Sequence, residues 1–87
     1  MKIKSDFVLK KMADQYIVVP VGDYAIDFNG IITLNETAKF MWEKCIGDFS
    51  QADLVMEVMK EYKVDETTAN FAVDKFLREL VEANCLE

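Results

Sequence analysis

Apolar side chains in the first third of this chain alternate along short β-branched and aromatic runs, and from Asn35 onward they recur at helical spacing. That one change of period admits few architectures. Strands followed by helices pack as an α+β domain, with the sheet set against one end of the helices. Phe7-Val8-Leu9 and Tyr16-Ile17-Val18-Val19 read as two antiparallel strands around the polar turn Ala13-Asp14-Gln15. Pro20 cannot donate a ladder hydrogen bond, so it ends the second strand or lies on an edge. Tyr24, Ile26 and Phe28 alternate ahead of Asn29-Gly30, a pair that tolerates positive φ and signals a tight hairpin. A short strand is expected at 24–28 and a firmer one at 31–34.

Each helical stretch opens on a residue able to accept from the orphan N–H groups of a first turn. Asn35 precedes a helix from Glu36 to about Cys45 with Ala38, Met41, Trp42 and Cys45 inward, and Gly47 is placed to stop it. Ser50, with Asp53 three residues on, opens a second helix to about Tyr62, whose inward residues are Leu54, Val55, Val58 and Met59. Asp65 caps a third, from Glu66 to about Asn84, on a stripe of Ala69, Val73, Phe76, Leu77 and Leu80. The expected fold is therefore α+β and winged-helix-like: a small antiparallel sheet of three to four strands packed on three C-terminal helices. With 87 residues and 52% hydrophobic content, the chain makes one domain over 1–87.

Composition narrows the function classes. Sixteen acidic against ten basic residues give a net charge of -6, which repels a phosphate backbone and suits a basic peptide or a basic protein patch. Cys45 and Cys85 stand forty positions apart in a chain without histidine, so no zinc pattern exists and two reduced thiols are expected. The N-terminus alternates charged and apolar residues, unlike a secretory signal, and no apolar run is long enough to span a bilayer, so a cytoplasmic protein is expected.

The usual routes to catalysis find little material, and no enzyme is expected. There is no histidine, glycine-rich phosphate loop, Gly-x-Ser-x-Gly elbow or Cys-x-x-Cys pair. Glu57, Glu61, Glu79 and Glu82 read as solvated helix faces, while Asp53, Asp65 and Glu66 suit the dipole of first turns. Cys45 continues an apolar face and reads as core. Asn35-Glu36-Thr37 matches a glycosylation acceptor, but Asn35 is already explained as a cap.

A binding surface remains. So small a sheet leaves an edge on which an extended peptide can add a strand. On the third helix, at about 100° per residue, Phe71 points away from the stripe and Val81 lies on its flank with Asn70, Asp74 and Arg78. Two other readings stand beside a peptide binder: a winged-helix transcription regulator, which the charge opposes, and a small homodimeric assembly factor whose edge pairs with itself.

Several segments together resemble one known family: Phe28-Asn29-Gly30, Leu34-Asn35-Glu36-Thr37-Ala38, Met41-Trp42, Gly47-Asp48-Phe49-Ser50, and Phe76-Leu77-x-x-Leu80 ahead of Leu86. This pattern, spread over nearly the whole chain, resembles the PqqD-like proteins, the precursor-peptide recognition elements of ribosomal peptide pathways. The resemblance implies a non-catalytic peptide chaperone that holds the leader segment of a precursor as an added strand between the third strand and the third helix. It implies a modifying enzyme as second partner, often a radical S-adenosylmethionine protein, and no cofactor on this chain. Carried over, the peptide would pair with Gly30, Ile31, Ile32, Thr33 and Leu34, and touch some of Asn70, Val73, Asp74, Leu77, Arg78 and Val81. Many members have glycine near the end, where this chain has Ala83-Asn84-Cys85-Leu86; Asn84 can replace it as a helix stop.

Overall fold

The computed structural model describes residues 1–21, 32–45 and 47–87. Strands β1 (Phe7–Met12), β2 (Gln15–Pro20) and β3 (Ile32–Leu34) precede helices α1 (Glu36–Lys44), α2 (Gln51–Tyr62) and α3 (Glu66–Glu82). This is the expected α+β order. The expected strand at 24–28, the Asn29-Gly30 turn, Gly30 and Ile31 lie outside the described residues.

Both hairpin strands run longer than their β-branched cores. Met12 pairs with Gln15, so the turn is only Ala13 and Asp14, and Ala13 takes a φ of 55° to make it. The strand does end at Pro20, which has no N–H to donate to a ladder. The sheet order is β1-β2-β3, all antiparallel, with Tyr16 opposite Leu34 and Val18 opposite Ile32. Phe7, Leu9, Val18, Ile32 and Leu34 meet the helices in one core, and Thr33 between the last two is exposed.

All three caps form as their residue types require. Asn35, Ser50 and Asp65 accept from the backbone N–H groups of Ala38, Asp53 and Thr68 at 2.8, 3.1 and 2.8 Å. Inward stripes follow: Ala38 and Met41 from α1, Leu54, Val55 and Val58 from α2, and Ala69, Val73, Phe76, Leu77 and Leu80 from α3 are buried. Trp42 and Met59, expected inward, pack against this core half-buried. α3 ends two residues earlier than its pattern suggests, because Asn84 turns left-handed at φ 59°.

The two ends of the chain close on each other. Lys4 N–H donates to the Cys85 carbonyl and Glu87 N–H to the Lys2 carbonyl, both at 2.8 Å, around an antiparallel bridge from Ile3 to Leu86. Phe49 N–H donates to the Met1 carbonyl at 2.7 Å, tying this clasp to the α1–α2 connection. Cys85 and Cys45 are free thiols in the core. Burial pushes them up to about 11 and about 12 respectively, so neither is a thiolate at neutral pH.

Candidate functional site

β3 is the edge of the sheet among the described residues: β2 lies on one side and no described strand on the other. In an antiparallel pair, alternate residues turn both N–H and C=O away from the partner strand. The outer side of β3 therefore presents backbone donors and acceptors with no charged or proline side chain in Ile32-Thr33-Leu34 to blunt it. β1, at the other edge, carries Lys10 and Lys11 side by side.

A groove of about 270 Å³ opens between this edge and α3. Thr33, Asn35 and Thr37 form one wall, and Phe71, Ala72, Lys75 and Glu79 the other. Ala38, Met41 and Phe76 also line it, and because these three are buried core residues the groove reaches apolar interior. Asn35 stays put on the rim because its side chain is committed to the α1 cap. Phe71 stands at the opposite rim 76% exposed, although a ring of that size normally covers apolar surface. The groove is slightly smaller than pockets for whole small molecules and suits one or two side chains.

Its neighbours differ in chemistry. An open hollow of about 720 Å³ on the hairpin side of Thr33 and Asn35 has a largely polar and charged lining, including Lys11, Asp14, Gln15 and Glu36. Lys39 and Lys11 lie 5.0 and 5.8 Å from the Tyr16 ring there, as cation–π contacts. Lys39 is also 3.2 Å from Glu43, and that hydrogen bond holds its ammonium above the usual lysine value. A second hollow, along the outer side of α3, is lined by Phe71, Asp74, Lys75, Arg78, Glu79 and Glu82.

The residues expected to touch a ligand scatter in this geometry. Ile32, Thr33 and Leu34 form the edge strand, and Thr33 lines the groove. Val73 and Leu77 are 0% and 8% exposed and belong to the core, and neither lines the groove. Asp74 and Arg78 lie by the outer hollow, joined in an ion pair, while Asn70 and the 63% exposed Val81 line neither it nor the groove. The flank of α3 that faces β3 carries Ala72, Lys75, Phe76 and Glu79, on the other side of the stripe from Asn70 and Val81. An apolar stripe has two flanks that look alike in sequence, and the packing of α3 chiefly on α2 decides which one is left beside the sheet. Lys75 and Glu79 carried no signal of their own. Phe71 did, as an aromatic off the stripe.

Residues 12–86 match the family described as coenzyme PQQ synthesis protein D (PqqD). The chain belongs to the PqqD family. Among solved structures, the chain is similar to one titled "TbiB1 in Complex with the TbiA(beta) Leader Peptide", at a TM-score of 0.77 and 22% identity, over 100% of this chain and 95% of that one. The similarity in fold extends over all the described elements. No curated protein matches the chain. No helix among the described residues is long and apolar enough to cross a membrane.

Proposed function

We propose that this PqqD-family chain is a non-catalytic module that binds the leader segment of a ribosomally made precursor peptide. The observation that carries this is the juxtaposition of an uncharged strand edge, unpaired among the described residues, with a groove that reaches apolar interior under an exposed aromatic ring. An extended peptide satisfies both at once, through main-chain hydrogen bonds to β3 and alternate side chains directed into the groove. The similar structure solved with a leader peptide supports the same reading. The peptide pairs with Ile32, Thr33 and Leu34, with Gly30 and Ile31 as the continuation of that segment in sequence, and is then presented to a modifying enzyme. Asp74, Arg78, Asn70 and Val81, away from the groove, are free to meet that enzyme.

The test is a titration of isotopically labelled protein with the leader peptides of precursors encoded beside it. Amide shifts should concentrate at Ile32–Leu34 and along Phe71–Glu79. Silence with every such peptide, or shifts confined to the Asn70 and Val81 flank, would remove the groove from the proposal.

A further inference from the structure

Asp74 and Arg78 are four residues apart on α3 and pair at 3.1 Å, Oδ2 to Nη2. One residue further round the helix, Lys75 and Glu79 have the same spacing and opposite signs, yet among the described residues neither closes an ion pair. The difference has a physical basis. An acid placed N-terminal to a base at this spacing pairs better than the reverse, and Lys75–Glu79 is the reverse order. Glu79 also lies in the final turn of α3, where the helix dipole disfavours a carboxylate, and that turn contains no basic residue. It is half-buried as well. A charge of either sign offered along the groove thus meets a side chain with little to give up.

Spacing then turns two charges into a pattern. Phe71, Lys75 and Glu79 follow at four-residue intervals, about 6 Å each along a helix. Side chains on one face of an extended strand repeat every second residue, at about 6.6–6.8 Å. Resting on the peptide-binding reading above, we propose that the groove selects an ordered pattern in its peptide: a bulky apolar side chain, an acidic one two positions on, and a basic one two positions beyond that. The apolar side chain enters under Phe71 against Phe76 and Met41, the acid meets Lys75, and the base meets Glu79. The order of charges fixes the direction in which the peptide lies along β3, which backbone pairing alone leaves open.

The experiment is selection from a random peptide library displayed on phage, panned against the intact chain and against K75E and E79K. Lys75 is exposed and Glu79 half-buried, neither in the core, so the variants should fold, which circular dichroism checks. Against the native chain, enriched peptides should share apolar-x-acidic-x-basic in one direction. K75E should replace the acid in that pattern by a base, and E79K should replace the base by an acid. A peptide selected on the native chain should bind each variant roughly two- to fivefold more weakly, the range of a partly exposed pair, and recover when its own charge is switched. Enriched peptides that carry the apolar residue with charges indifferent to both variants would overturn the pattern and leave peptide binding intact. If no peptide is enriched over the bare support, the peptide-binding reading falls and the pattern with it.

Discussion

Asn84 holds a φ of 59°, and the two hydrogen bonds around it end α3: its own N–H to the Val81 carbonyl at 3.0 Å and Cys85 N–H to the Leu80 carbonyl at 2.9 Å. This is the helix stop that glycine makes elsewhere, with asparagine in its place. Asn84→Gly should leave the urea midpoint unchanged or slightly higher, whereas Asn84→Val should cost about 1–2 kcal/mol, because a β-branched side chain clashes in that conformation. The cysteines make a second prediction. Their thiols titrate near 9.0 when unfolded and at about 12 and about 11 when folded. Below pH 9 both states keep the protons and stability is full; above it the unfolded chain releases them first, so stability falls between pH 9 and 12. Native protein should resist an aromatic disulfide reagent at pH 8 and react at both sites in urea. Cys45→Ala should flatten the alkaline loss seen by denaturant titration.

At the scale of elements, α3 separates folding from binding by face, the two sets of residues interleaving along its length. Leu80→Ala removes a fully buried side chain and should cost roughly 2–5 kcal/mol in chemical denaturation. Phe71→Ala should change stability by less than about 0.5 kcal/mol, since the ring is exposed, yet weaken a groove-binding peptide on the order of tenfold by calorimetry. An equal loss of stability in the two variants would contradict this division. The caps at Asn35, Ser50 and Asp65 and the three inward stripes were legible in sequence because each is a local pattern, complete within a turn or two of helix. That Ile32-Thr33-Leu34 form a strand was legible for the same reason, whereas their pairing with a peptide was only implied by the family resemblance. Which flank of α3 would border them was not, since Asn70 and Val81 sit as close to the stripe as Ala72 and Glu79 do, and only the crossing of α3 over α2 tells them apart. Val73 and Leu77 were expected both to fill the core and to touch the peptide; they are core residues, and neither is among those lining the groove.

At the scale of the whole molecule, a charge of -6 spread over 87 residues coexists with a groove edge whose uncharged strand contrasts with Lys10 and Lys11 on the opposite edge of the sheet. Among the described residues the sheet thus has one guarded side and one bare side, and on the peptide-binding proposal this admits strand addition by a peptide while discouraging stacking of copies through β1. The clasp of Lys2–Lys4 with Cys85–Glu87 has a different consequence. Because it brings both ends of the chain to one place, the order in which the elements are synthesised is not needed for the order in which they pack. A circular permutant, with a short glycine linker joining Glu87 to Met1 and new ends opened at the exposed Lys63 between α2 and α3, should fold to the same sheet and groove. It gives up only the Met1 ammonium contacts with Asp48 and the Phe49 carbonyl. Its amide spectrum, overlaid on that of the native chain, should differ only near the joined and opened sites. The module could then be carried as an inserted loop of a host enzyme, with both connections leaving from one corner.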